Sequence, residues 1–217
     1  MTSFPRLPVL CLVTDSSTSL RAPLEEVVAN AVSGGVGMVQ VREKGMASGD
    51  LYLLATKLRL VTQGRALLIV NDRVDVALAV GADGVHLPSH SLPVYAVKRI
   101  GEGRLLVGRS VHGVEEAVTA EKDGADYLIL GTIYGTQSHL GRPPSGPRLV
   151  EAVKVRVGSP VYAIGGIDPS NAGEVMRAGA DGVAVIRSIL ASPDPRSSAR
   201  ELAEIVKGHK RLSKDGA

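Results

Sequence analysis

The sequence predicts a (β/α)8 barrel, and two features of the chain lead to that prediction. Short apolar runs bounded by glycine or polar residues alternate with longer segments of helical periodicity, and eight such pairs can be counted. The tripeptide Gly-Ala-Asp recurs at 81–83, 124–126 and 179–181, each time between a predicted helix and a predicted strand. Eight parallel strands in 217 residues fit a compact closed barrel better than the alternative, an open doubly wound sheet.

Each strand is assigned to an apolar run, and each helix to the longer periodic segment that follows it. The predicted strands cover 8–14, 38–42, 66–70, 84–87, 105–108, 127–130, 161–164 and 182–186. The helices that follow them in turn are predicted at 23–33, 48–62, 74–80, 92–100, 114–123, 146–157, 170–178 and 195–207. No linker or low-complexity segment divides this order, so the sequence predicts one domain over 1–217, with its core at about 7–207 and a disordered tail at 213–217.

The repeated Gly-Ala-Asp tripeptides are assigned a structural role. The glycine can end a helix in the left-handed conformation, and the aspartate can bond nearby main-chain N–H groups. These tripeptides precede their strands, whereas the chemistry of a barrel enzyme lies at the carboxyl ends of the strands.

Composition excludes several classes of protein. The chain has 25 Lys and Arg against 22 Asp and Glu, and it shows no broad basic face with interleaved aromatic residues, so nucleic-acid binding is not expected. No apolar run approaches the roughly 18 residues of a membrane span, and Pro5 and Pro8 stand where a signal peptide would have its apolar helix. A cytoplasmic protein is therefore expected. The lone Cys11, in an apolar run, is predicted to be a buried structural thiol.

The residues that follow the predicted strands outline a polar site. Gln40, Arg42 and Lys44 alternate at the end of the second strand, which places them on the inward side. The other candidates for contact with a small molecule are Asn71, Asp72, Ser110, His112, Thr132 and Thr136. Asp72 can equally cap the next helix. His86 is interpreted as a core histidine with its hydrogen bonds satisfied.

A phosphate site is predicted after the last two strands. Gly165 and Gly166 follow the seventh strand, and Ile186, Arg187 and Ser188 follow the eighth. Main-chain N–H groups can approach an oxyanion closely where no Cβ intervenes, and barrels commonly bind phosphate at this place. The long segment 131–146, rich in glycine and proline, is predicted to be a lid. No grouping of His, Cys and Glu resembles a transition-metal site.

Taken together, these segments resemble the thiamine phosphate synthase and TenI family over about 7–207. The matching stretches include QVREK at 40–44, VND at 70–72, GRSVH at 108–112, GTIY at 131–134 and AIGGI at 163–167. The resemblance implies a (β/α)8 barrel that acts in thiamine biosynthesis on a phosphorylated thiazole. It does not by itself choose between the two activities found in the family.

Two departures from the synthase pattern favour the other branch of the family. The resemblance implies that a synthase holds Mg²⁺ between two aspartates and uses a loop lysine to neutralise the leaving diphosphate. Asp72 matches the first aspartate, but Ser91 stands in place of the second and His139 in place of the lysine. Since such groups stabilise the transition state, their loss should slow that chemistry severely. The leading hypothesis is therefore a metal-independent, cofactor-free TenI-like thiazole tautomerase.

In that hypothesis His139 or His112 moves the proton, because Thr132 stands where characterised tautomerases have a histidine after the strand-6 glycine. Arg42 or Lys44 would hold the substrate carboxylate. Two alternatives stay open: a synthase with Mg²⁺ on Asp72, and a non-catalytic regulator that binds thiazole phosphate. Binding to nucleic acid or membrane is not expected, and the sequence leaves the formation of a homo-oligomer open.

Overall fold

A computed structural model describes residues 10–18, 22–136 and 143–212, with side chains as far as His209. Its eight strands are all parallel, pair in sequence order and close through pairing of the first with the last. They are β1 (Leu10–Val13), β2 (Met38–Val41), β3 (Leu67–Asn71), β4 (Gly84–Leu87), β5 (Leu106–Val111), β6 (Tyr127–Leu130), β7 (Val161–Ile164) and β8 (Gly182–Val185). The (β/α)8 barrel is thereby confirmed, and the open sheet is excluded.

The helices form the outer layer of the barrel. They are α1 (Leu24–Ser33), α2 (Ser48–Thr62), α3 (Val74–Ala79), α4 (Val94–Ile100), α5 (Val114–Lys122), α6 (Arg148–Lys154), α7 (Ala172–Arg177), α8 (Arg187–Leu190) and α9 (Pro195–Leu212). Eight of them lie where helices are predicted. Among the described residues, no helix combines the length and apolar character needed to cross a membrane.

Among the differences from the prediction at the carboxyl end of the barrel, two concern β8 and β5. β8 ends at Val185, and the four-residue helix α8 begins directly after Ile186, so Arg187 and Ser188 lie on a helical turn. β5 extends to Val111 instead of ending at residue 108, so Ser110 belongs to the strand itself. Both differences concern residues that border the site.

The inside of the barrel is filled mainly by small and aliphatic side chains together with two tyrosines. Tyr127 and Tyr162 are fully buried there and meet edge to face, with ring centroids 5.7 Å apart. Cys11 is buried in the same cluster, and burial raises the pKa of its thiol to about 12. A thiol held protonated in this way is a poor nucleophile, which agrees with the predicted structural role.

The repeated aspartates lie at the amino ends of the strands, away from the polar residues of the site. In each repeat the carboxylate accepts a hydrogen bond from a main-chain N–H at the start of the preceding strand. The pairs are Asp83 with Leu68 at 2.7 Å, Asp126 with Val107 at 2.6 Å and Asp181 with Val161 at 2.9 Å. Each carboxylate also pairs with a cation on a neighbouring helix, namely Arg59, Lys98 or Lys154. The aspartates therefore tie adjacent strands together as well as their own turns.

Candidate active site

A cavity of about 690 Å³ opens at the carboxyl ends of the strands. It brings together the predicted site residues Gln40, Arg42, Lys44, Asn71, Asp72, Ser110, His112, Thr132, Thr136, Gly165, Gly166, Ile186, Arg187 and Ser188. His139, the other predicted proton carrier, lies outside the described residues. Sequence reasoning missed Glu43, Arg73 and His86 as residues that border the cavity.

The floor of the cavity is a layer of uncharged hydrogen-bonding groups. Gln40, only 3% exposed on β2, donates from Nε2 to Oδ1 of Asn71 at the end of β3, at 3.0 Å. Its side-chain carbonyl is buried and has no hydrogen-bond partner in the described part of the protein. Because a buried carbonyl without a partner is costly, this oxygen is available to accept a hydrogen bond from a ligand N–H.

His86 lies in the same layer on β4. Its Nε2 is 2.8 Å from Oγ of Ser110 on β5, and its ring stacks on Tyr127. Burial, together with the positive charges of Arg109 and Arg42, lowers the pKa of His86 to about 3, so the ring is neutral. The prediction of a core histidine is correct as to burial, but Nδ1 has no partner among the described residues and the ring borders the cavity. Its hydrogen bonds are thus only partly satisfied.

His86 should make folding sensitive to acid. The unfolded chain takes up a proton near pH 6.5, whereas the folded protein keeps the ring neutral down to about pH 3. Unfolding is therefore accompanied by proton uptake between these values, and stability falls as the pH falls. From pH 7 to pH 5 the contribution to the free energy of unfolding is a loss of about 2 kcal/mol.

Urea denaturation at pH 7 and pH 5 tests this expectation. The free energy of unfolding should fall between pH 7 and pH 5 by about 2 kcal/mol less in His86→Gln than in the wild type. The exposed His90→Gln serves as the control and should behave like the wild type. Equal pH dependence in His86→Gln and the wild type would contradict a neutral buried His86.

The ends of β1 and β2 are locked together by Glu43. Its carboxylate accepts hydrogen bonds from Oγ1 of Thr14 at 2.6 Å and from the main-chain N–H of Ser16 at 2.9 Å. The Thr14 hydroxyl in turn accepts from the main-chain N–H of Arg42 at 3.0 Å. Glu43 is thus occupied within the protein and fixes the backbone between Arg42 and Lys44, whose positive charges border the cavity.

Asp72 follows β3 with an unusual backbone conformation. Its φ of 64° is left-handed, a conformation that aspartate tolerates better than most residues. Its main-chain N–H donates to the carbonyl of His86 at 2.9 Å, and its carboxylate accepts a hydrogen bond from the hydroxyl of Ser91. A carboxylate and a hydroxyl oxygen therefore lie side by side, and Asp72, which carries the carboxylate, borders the cavity.

This pair supplies oxygen ligands that suit a hard cation such as Mg²⁺. The described residues contain no group of three or more His, Cys, Asp or Glu side chains that could hold a metal by themselves. Mg²⁺ usually keeps several waters, takes further oxygens from substrate phosphates and needs only one or two carboxylates from the protein, of which Asp72 supplies one.

His112 connects the ends of β5 and β6. Its Nδ1 lies 2.5 Å from the carbonyl oxygen of Gly131, and its main-chain N–H donates to the carboxylate of Glu116 at 2.9 Å. Because a carbonyl can only accept, Nδ1 carries the proton in this contact. The ring thereby braces the start of the segment after β6.

The phosphate corner, made of Gly165, Gly166 and the start of α8, depends on the absence of side chains. Gly165 and Gly166 have φ values of 106° and 58°. A Cβ on Gly165 would lie 2.6 Å from Cγ2 of Thr132, and one on Gly166 would lie 2.5 Å from the carbonyl oxygen of Gly135. These residues leave their main-chain atoms open to the cavity while the segment after β6 packs closely against them.

The start of α8 contributes two side chains of different kinds. The Ser188 hydroxyl donates to the main-chain carbonyl of Ile167, so its proton is engaged within the protein. Arg187 is exposed at the rim of the cavity and forms no ion pair with any described carboxylate. Of the two, Arg187 is the side chain that can neutralise an anion.

Comparison with known proteins identifies the family. Residues 10–189 match the family model described as thiamine monophosphate synthase. The chain is 43% identical over 200 residues to the thiamine-phosphate synthase of Methanospirillum hungatei, covering 91% of this chain and 97% of that one. It is 42% identical over 201 residues to that of Natronomonas pharaonis, with 91% and 94% covered.

A solved structure agrees with these relatives. The thiamine phosphate pyrophosphorylase from Pyrococcus furiosus superposes with a TM-score of 0.85 at 39% identity, covering 93% of this chain and 96% of that one. Because the similar proteins bear the name of the synthase, the hypothesis of a TenI-like tautomerase is wrong, and with it the roles of His112 and His139 as tautomerase proton carriers. The chain belongs to the thiamine monophosphate synthase family.

Proposed function

We propose that this protein is a thiamine phosphate synthase, which joins a pyrimidine methyl diphosphate to a thiazole phosphate and releases pyrophosphate. The observation that supports this proposal is the arrangement of one cavity. Asp72, whose carboxylate contacts the Ser91 hydroxyl, borders it, the phosphate corner at Gly165 and Gly166 borders it too, and uncharged groups form the floor. A reaction between two phosphorylated substrates requires such a combination.

The floor is suited to the pyrimidine ring. Gln40, Asn71 and Ser110 offer neutral donors and acceptors, and the unpartnered Gln40 carbonyl can accept from an amino group on the ring. Neutral groups that are already buried and held in place orient a neutral heterocycle without a cost for desolvating a charge.

The diphosphate is proposed to lie along the side of the cavity bordered by Arg42, Lys44 and Asp72. The Asp72 carboxylate and the Ser91 hydroxyl would hold Mg²⁺, which when bound neutralises charge on the diphosphate. Arg42, which pairs with Asp15 at 3.8 Å, and Lys44 add positive charge, and Glu43 fixes the main chain that carries them. Negative charge that develops on the leaving group thus meets groups that need little rearrangement.

The thiazole phosphate is assigned to the phosphate corner. Main-chain N–H groups of Gly165, Gly166, Ile186 and Ser188 would bind the phosphate, and the Arg187 guanidinium would neutralise it. Thr132, packed against Gly165, and Thr136 would hold the thiazole ring above the floor.

The reaction exchanges one bond for another. The bond between the pyrimidine methylene and the diphosphate oxygen breaks, and its electron pair leaves with pyrophosphate. The lone pair of the thiazole nitrogen forms the new bond to the methylene carbon. Because this exchange moves no proton, it requires neither His112 nor His139 as an acid or base.

Pyrophosphate release tests the proposal. We expect release that requires the pyrimidine diphosphate, the thiazole phosphate and Mg²⁺ together, stops with excess EDTA and resumes when Mg²⁺ is restored. Omitting the thiazole phosphate controls for simple hydrolysis of the diphosphate, and chromatography should show thiamine phosphate in equal amount. A pure, folded protein that forms no thiamine phosphate with saturating substrates and Mg²⁺ would contradict the proposal.

A further inference from the structure

The loop between β4 and α4 carries one half of the oxygen pair. It extends from Pro88 to Pro93 and includes Ser91, whose hydroxyl donates to the Asp72 carboxylate. Within the loop, one main-chain hydrogen bond from Ser91 N–H to the Pro88 carbonyl, at 3.0 Å, forms a turn. The Ser91 hydroxyl can contact the Asp72 carboxylate only while this loop keeps its position.

Arg109, on the neighbouring strand β5, holds the loop from outside the cavity. Its Nη1 donates to the carbonyl of Leu92 at 3.0 Å, and its Nη2 donates to the carbonyl of Ser89 at 2.8 Å. The two carbonyls flank Ser91 on either side. One planar guanidinium therefore fixes both sides of the residue that contacts Asp72.

Two further observations set Arg109 apart from a surface cation or a substrate contact. It does not border the cavity, whereas the adjacent Ser110 does; Arg109 faces a separate groove next to α5. In the part of the chain that the structure describes, it forms no ion pair, although Glu115 and Glu116 border the same groove. Its hydrogen-bonding capacity is directed at the loop carbonyls.

We propose that Arg109 is a positioning residue that holds the loop between β4 and α4 so that the Ser91 hydroxyl stays against the Asp72 carboxylate. This inference rests on the proposed synthase activity, in which that oxygen pair anchors the divalent cation and hence the diphosphate. Arg109 acts through the loop and touches neither substrate. Lysine cannot replace it, because a single ammonium group on a flexible alkyl chain lacks the planar pair of N–H donors that binds two carbonyls at once.

Arg109→Ala and Arg109→Lys test this role with two measurements that do not need turnover. Hydrogen–deuterium exchange reports on the loop, and electron paramagnetic resonance measures Mn²⁺ binding in the presence of pyrophosphate. We expect faster exchange at residues 89–92 and Mn²⁺ affinity lower by about tenfold in both variants, the scale seen when groups that orient metal ligands are removed. The control is Arg104→Ala, which removes an exposed pair with Glu102 and should stay within about twofold of the wild type.

Steady-state kinetics provide a further test of both Arg109 variants. We expect the Mg²⁺ concentration that gives half-maximal activity to rise, while kcat at saturating Mg²⁺ stays within about threefold of the wild type. Unchanged exchange and Mn²⁺ affinity in both variants would overturn the proposal, as would a loss of kcat without any change in the Mg²⁺ requirement. Urea denaturation confirms that each variant is folded, and the lysine variant remains informative if the alanine variant is not. If the wild type forms no thiamine phosphate, the proposed function fails, but the exchange and Mn²⁺ comparisons still decide the role of Arg109.

Discussion

Asp72→Asn is expected to lower kcat/KM for pyrophosphate release by about 1000-fold, the upper part of the range for removing one preorganised electrostatic group. Asp72 carries the sole carboxylate of the oxygen pair, because its partner at residue 91 is a serine. Asparagine keeps the shape of the side chain and tolerates the left-handed backbone, where φ is 64°. The loss should therefore come from the missing charge and not from a changed loop.

The measurement is steady-state pyrophosphate release over a range of Mg²⁺ concentrations. Glu102→Gln is the matched control, since Glu102 is the other described acidic residue with a positive φ, at 49°, and it does not border the cavity. It should retain wild-type kinetics. If Asp72→Asn kept kcat/KM within about fivefold of the wild type, Asp72 would not be the anchor for the diphosphate.

The fold could be predicted from the sequence because its signals are local. The bounds of β4, β6 and β7 agree residue for residue with the apolar runs from which they are predicted. Helix α8 was missed because four residues are too few to show helical periodicity. The predicted β5 ends too early, at residue 108, because polar residues such as Arg109 and Ser110 are typical of loops. In the structure both side chains form hydrogen bonds with partners outside their own strand.

The site was predicted less completely, for a related reason. Gln40 could be located because it lies near the end of an apolar strand, and Gly166 because it comes two residues after one. The roles of Glu43 and His86 depend on partners that lie after β1 and within β5, which no spacing along the chain reveals. Neither Ser91 in place of the second aspartate nor His139 in place of the loop lysine excludes membership of the synthase family. A hydroxyl at residue 91, water and the diphosphate itself can supply the remaining oxygens.

Gly166→Ala is expected to raise the KM for the thiazole phosphate by about 100-fold while the KM for the pyrimidine diphosphate stays within about twofold. The new Cβ would lie 2.5 Å from the Gly135 carbonyl and 2.9 Å from Cβ of Tyr134, so the segment after β6 must move away from the phosphate corner. The left-handed φ of 58° adds strain of about 1 kcal/mol, and overpacking adds about 1 to 3 kcal/mol.

Gly103→Ala separates these two effects. Gly103 has a φ of 73°, but a Cβ there would meet no atom within 4 Å, so this variant bears the backbone strain without the steric clash. Urea denaturation should give a loss of about 1 kcal/mol for Gly103→Ala and about 2 to 4 kcal/mol for Gly166→Ala. Only Gly166→Ala should change the KM for the thiazole phosphate. If the KM values for both substrates rose equally in Gly166→Ala, the two glycines after β7 would not form a separate phosphate site, and the assignment of the thiazole phosphate to that corner would be wrong.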